Sequence, residues 1–278
     1  MRKFFIIAYA LALFIVLNAN TYDAPATASP SGTGHIEVIV FAAASMTDTL
    51  EEIAGLYAKV EPNATLTFNF DSSGTLRTQI QEGAESDVFI SAAQLQMNQL
   101  DITSPETINP NRFDLVNTDT RFDILENRVV LAVPSGNPKN INSFQDMSDM
   151  LSRGEILMAI GNRDVPVGQY TLQIFEYFNL VEQELVASGS ITYGSNVREV
   201  TTHISEASVD CGIIYATDAF STGLNTVDHA TTDMCGRVVY PAAVLRTSKN
   251  PDAARAFLNY LTSNEAMAVF ESVGFSRP

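Results

Sequence analysis

Tryptophan is absent from the 278 residues, cysteine occurs twice and histidine three times. Basic residues are half as numerous as acidic ones, 16 against 32, leaving a formal net charge of −16. Each shortage removes a class of function. Nucleic acid is a poor partner for so acidic a chain, because its binding rests on Lys and Arg neutralising phosphates. Cys211 and Cys235 are too few for a cysteine zinc site, and no closely spaced histidine pair exists to help. They leave two states open: a disulfide, which an oxidising compartment permits, or two buried thiols. A serine hydrolase built on Ser45, Ser72 or Ser73 is disfavoured. No Gly-x-Ser-x-Gly elbow appears, and His35, His203 and His229 have no evident partner carboxylate.

Long apolar runs are also scarce. One, Phe4 to Leu17, follows Met-Arg-Lys and leads into small and polar residues with Ala24, Ala26 and Ala28 at alternate positions. It is short for a membrane span and reads as a signal peptide over residues 1–28. No cysteine precedes Cys211, so no residue is available to carry a lipid anchor at a mature N-terminus. The expectation is a soluble protein secreted into the periplasm or an equivalent extracytoplasmic space.

What is present in quantity is apolar residues, 46% of the chain, enough for one large or two modest packed cores. Strand-like and helix-like patterns alternate, which predicts an α/β architecture. Ile36 to Phe41 reads as a strand, and Met46, Leu50, Ile53 and Tyr57 follow at helical spacing. Leu66, Phe68 and Phe70 alternate as a second strand, and Val129 to Val133 is a continuous apolar run bounded by Pro134-Ser135-Gly136. The pattern predicts two lobes, one from residues 36–127 plus 241–278 and the other from 128–240, with crossovers near Val129 and Ala242. A single continuous sheet is the competing arrangement.

The stretch FAAASMTD at 41–48 places Ser45 where a strand hands over to a helix. Its hydroxyl either caps the first turn, with Asp48 completing a capping box, or turns with the free N–H groups towards a ligand. Three more junctions share this character: Asp71-Ser72-Ser73-Gly74-Thr75, Asp164-Val165-Pro166-Val167-Gly168 and Gly194-Ser195-Asn196-Val197. In open α/β sheets such junctions gather at the carboxyl ends of the strands, where ligands bind. Each supplies unpaired donors and the positive end of a helix dipole, so together they describe an anion site without Lys or Arg. Ordinary capping at all four is the alternative.

At these residues the chain resembles the extracytoplasmic molybdate-binding proteins of ABC importers. The resemblance is carried by FAAASMTDTL at 41–50, SSGTLRTQIQEGAESDVFISAA at 72–93, VPVGQY at 165–170, NVRE at 196–199 and GIIYATDA at 212–219. It implies a two-lobed type II periplasmic-binding-protein fold closing on a tetrahedral oxyanion. It also implies ligand contacts from Ser45 and Ser73 through hydroxyl and amide, from Val167 and Val197 through amides, and from Tyr215 through its phenol. Molybdenum would be held as molybdate, with no direct metal ligand, no cofactor and no catalysis; tungstate should bind alike. The implied partner is an ABC-transporter membrane permease, and a monomer is expected. Val167 replaces the alanine common in the family's turn, and Asp71 brings a carboxylate beside the serines.

Overall fold

The computed structural model describes residues 35–278, so the expected signal peptide at 1–28 lies outside the described residues. Two five-stranded sheets organise it. The first takes strands β1 (Ile36–Ala43), β2 (Ala64–Asp71), β3 (Val88–Ile90) and β4 (Phe122–Asn127) from the N-terminal part. The second is built from β5 (Val129–Val133), β6 (Met158–Gly161), β7 (Ile191–Gly194), β8 (Cys211–Tyr215) and β9 (Asn225–His229). The chain then returns through β10 (Val238–Val244) to complete the first sheet in the order β2-β1-β3-β10-β4. That return begins ahead of the expected boundary at 241. The second sheet runs β7-β6-β8-β5-β9.

Both sheets share one design. Parallel pairs at one side, β1 with β2 and β3, and β6 with β7 and β8, give way to antiparallel pairs where β10 and β5 enter. Parallel strands need helical crossovers, which cover both faces of the sheet with apolar side chains. The alternation along β1 shows this directly. Val38, Val40 and Ala42 join the large core cluster, while Phe41 points to the opposite face with Leu76, Phe89 and Leu100. The helix Thr47–Val60 docks through Tyr57, whose ring meets Phe257 at 5.3 Å and Tyr260 at 5.0 Å on the helix Pro251–Leu261. The large cluster also runs into the second lobe through Val130, Ile160 and Ile213, so the lobes meet over an apolar base.

Cys211 and Cys235 are both buried free thiols. Burial pushes the Cys235 thiol up to about 11 and raises Cys211 further, so neither is reactive at neutral pH. Strands β4 and β9 and the helices Phe144–Ser152 and Glu182–Ala187 were not anticipated by the periodicity; short, half-buried elements give weak patterns.

Candidate functional site

Four helices point their N-termini at the cleft between the lobes: the one starting at Thr47 with the turn Ala44–Met46 before it, and those starting at Ser73, Pro166 and Val197. Local chemistry explains three of these starts. Ser72 caps the second helix, its Oγ accepting the Thr75 amide at 3.1 Å, and Asn196 caps the fourth, its Oδ1 accepting the Glu199 amide at 3.1 Å. Pro166 occupies the first position of the third, where its missing N–H is not needed. With the caps supplied by Ser72 and Asn196, the amides of Ser73, Gly74, Val197 and Arg198 have no partner among the described residues.

Ser45 does not cap its helix. The preceding residue of that helix is Met46, which makes no side-chain cap, and Asp48 turns away to Arg198 on the other lobe, Nη2 to Oδ1 at 3.2 Å. Ser45 Oγ instead meets Tyr240 Oη at 2.9 Å. The capping-box alternative is thereby replaced by a hydroxyl directed into the cleft.

A small cavity of about 10 Å³ joins the two lobes. Ser45, Ser73, Val197 and Tyr215 all line it, with Asp71, Ala92, Val165 and Pro166. Val167 stands just behind this wall: its side chain is fully buried and its carbonyl is taken by Thr171 Oγ1 at 2.8 Å, while its amide lies in the first turn without a partner among the described residues. A cavity of this size holds about one water. A tetrahedral oxyanion is larger and needs the lobes slightly further apart.

Several hydrogen-bond donors at the cavity are left free. Ser73 Oγ accepts the Ala92 amide at 2.9 Å, which uses a lone pair and leaves its hydrogen to donate. Tyr215 is 1% exposed and its hydroxyl has no hydrogen-bond partner among the described residues. A buried orphan hydroxyl costs on the order of 1–3 kcal/mol, which sets this one apart from an ordinary core tyrosine. Burial, reinforced by the neighbouring Tyr240 and Tyr170, holds the phenol well above its ordinary pKa, so it stays a neutral donor. Asp71 is restrained: its Oδ1 accepts the Ser72 amide at 2.6 Å and lies 3.4 Å from Asn196 Nδ2 across the cleft. This is the local turn that short acidic residues make with their own backbone.

Closure is tight elsewhere too. Gly74 faces the loop before Pro166 so closely that an added Cβ would lie 2.0 Å from the Asp164 carbonyl oxygen. Only glycine permits that approach.

A larger cavity, about 230 Å³, opens beside the first, between Asp48 of one lobe and Arg198, Thr201, Glu206 and Asp218 of the other. Its three carboxylates make it a poor place for an anion. Asp218 is buried, its Oδ2 has no partner among the described residues, and desolvation pushes its pKa up to about 7 although Arg198 pulls the other way. Arg198 and Asp48 are 47% and 54% exposed, so their bridge across the lobes contributes about 0–1 kcal/mol. None of His35, His203 and His229 lines either cavity, and His203 Nδ1 is engaged with Ser208 Oγ at 3.1 Å.

Periodicity missed Tyr240, Asn127 and Asp218. Tyr240 reads as one more apolar strand residue, and nothing near it in the chain signals the serine it touches.

The profile of the family described as bacterial extracellular solute-binding protein matches residues 38–276. YvgL of Bacillus subtilis (strain 168), provisionally described as an ABC transporter substrate-binding lipoprotein, is 31% identical over 277 residues, 99% of this chain and 98% of its own. The molybdate-binding protein ModA of Haemophilus influenzae is 33% identical over 242 residues, 86% of this chain and 90% of its own. Among solved structures, the periplasmic molybdate-binding protein of Azotobacter vinelandii superposes with a TM-score of 0.72 at 21% identity, over 87% of this chain and 99% of its own. These neighbours share the two-lobed periplasmic-binding-protein fold.

Proposed function

Because the chain belongs to the bacterial extracellular solute-binding proteins of ABC transporters, which bind solutes and are not enzymes, we propose that it captures molybdate, and equally tungstate, between its lobes. The observation that carries this reading is the buried, unpartnered Tyr215 hydroxyl facing two serine hydroxyls and the free amides of helix starts. A ligand that accepts at every oxygen suits such a site, and a fully deprotonated oxyanion is such a ligand. The H. influenzae relative is named for molybdate binding, which supports this anion over others of the same shape.

The acidic surface is compatible with a dianionic ligand. At physiological salt the Debye length is about 8 Å, so scattered carboxylates are largely screened at the cavity. Hydrogen bonds to a charged group contribute roughly 1.5–3 kcal/mol each, and micromolar affinity needs only about 8 kcal/mol net. About five to seven such donors therefore leave room for the costs of desolvation and closure over most of that range.

In this reading the bound anion stabilises the closed arrangement of the lobes, which a membrane permease then recognises. The protein acts outside the cytoplasm as a monomer, without a cofactor, after removal of a leader over residues 1–28. Calorimetric titration with molybdate, tungstate, sulfate and phosphate in one buffer tests it. Micromolar or tighter binding of molybdate and tungstate, with sulfate and phosphate much weaker, is expected. Preference for sulfate or phosphate would sink the assignment.

A further inference from the structure

A serine hydroxyl donates or accepts as its neighbours require, yet the oxyanion reading needs Ser45 to donate. A chain of buried groups behind Ser45 decides the matter. It starts at Asn127, the last residue of β4 before the chain crosses to the second sheet. Asn127 Oδ1 accepts the Arg128 amide at 2.8 Å. A backbone N–H can only donate, so this contact identifies the oxygen end of the side chain. The other end, Nδ2, lies 2.9 Å from Thr217 Oγ1 and 3.2 Å from Tyr240 Oη.

An amide NH₂ group also only donates, so Tyr240 Oη accepts from Asn127 and directs its own hydrogen to Ser45 Oγ, 2.9 Å away. Burial holds the Tyr240 phenol well above its ordinary pKa, so that hydrogen is retained. Ser45 Oγ has no other partner among the described residues and keeps its own hydrogen for the cavity.

We infer that Asn127 and Tyr240 are positioning residues that commit Ser45 to donate into the cavity, and so favour a fully deprotonated oxyanion over a protonated one. This rests on the oxyanion reading above. Neither residue lines the cavity; both act through Ser45. Ser73 provides an internal control, because its direction is set by the Ala92 amide and is independent of Tyr240.

The test is a double-mutant cycle read by calorimetry at pH 8 with molybdate and with hydrogen phosphate, which still carries one O–H. Tyr240→Phe keeps the ring contacts with Tyr215 and Phe275, at 5.9 and 5.4 Å, so the fold should survive, and thermal melting checks it. Tyr240→Phe should weaken molybdate about fivefold, because Ser45 is no longer held in its donating orientation and the Asn127 NH₂ loses an acceptor. It should weaken hydrogen phosphate less, because a released Ser45 can accept the ligand's O–H. Added to Ser45→Ala it should cost less than about twofold more, whereas added to Ser73→Ala it should keep its full effect. An equal loss for both anions, or the same loss in both serine backgrounds, assigns Tyr240 to packing and overturns the inference. Wild-type protein that binds no oxyanion overturns the oxyanion reading itself, and the inference with it.

Discussion

The two lobes bring helix starts to one cavity, but they arm them differently. Besides the free amides of Ser73 and Gly74, the first lobe offers two hydroxyls, Ser45 and Ser73, each held by a second group that occupies its acceptor side. The second offers the amides of Val167 and Val197, together with the phenol of Tyr215. A backbone N–H needs no neighbour to tell it to donate and survives any substitution except proline. A hydroxyl must be instructed and can be deleted by one mutation. Specificity should therefore be written mainly in the first lobe, with the second supplying a fixed electropositive wall.

The sharpest way to break this comparison is to keep the lobes from meeting. Gly74→Ala inserts a methyl group 2.0 Å from a backbone oxygen of the facing lobe. Even with the lobes parted slightly to admit an oxyanion, a methyl group this close collides with the Asp164 carbonyl, so molybdate affinity should fall by more than about tenfold. Small-angle scattering should show no compaction on adding ligand. Full compaction and unchanged affinity would mean that the close approach is not needed for binding.

A smaller effect isolates the one removable donor of the second lobe. Tyr215→Phe should weaken binding about tenfold while leaving the ligand-free protein as stable or slightly more so, because a buried hydroxyl without a partner is removed. Affinity and melting temperature should thus move in opposite directions. A matching loss of both would show that the hydroxyl has a structural partner in solution.

The smallest expected effect on affinity belongs to the neighbouring acidic cavity. Asp218→Asn should leave molybdate binding within about twofold, as it lies outside the oxyanion site. Its consequence is in stability. Because burial raises the Asp218 pKa from 3.8 to about 7, the folded state holds the proton more tightly than the unfolded one. The associated stability is present below pH 3.8 and is lost as pH rises through about 7, at roughly 1.4 kcal/mol per pH unit inside that window. Melting temperatures at pH 5 and pH 8 check this: the asparagine variant should lose less between them than wild type. Equal losses would show that Asp218 is hydrated in solution.

Much of this site could be read before any coordinates. The four junctions at Ser45, Ser73, Val167 and Val197 were visible because strand and helix periods change there, and Ser, Asn and Pro mark helix starts by local chemistry. Ser72 and Ser73 both line the cavity, and which of them keeps its hydroxyl free of the helix cap was not visible. Ser72 takes the cap, releasing Ser73, and only the carried-over family pattern pointed to the second of the pair. Tyr215 at the end of an apolar strand is, by pattern alone, a core residue, and it is indeed buried; what sets it apart is its lack of a partner. Arg198 is 47% exposed and still reaches across to Asp48, a contact that no local pattern announces.

Residues adjacent in the chain were enough to settle the α/β class and the helix N-termini that can face an anion, because hydrophobic period and capping act over one or two turns. The direction of the Ser45 hydrogen, the isolation of the Tyr215 hydroxyl and the raised pKa of Asp218 were settled by tertiary packing alone. Ser45 meets Tyr240 across 195 residues of sequence and Asn127 meets Tyr240 across 113. Hydrogen-bond polarity and desolvation arise only when such distant segments come together and exclude water.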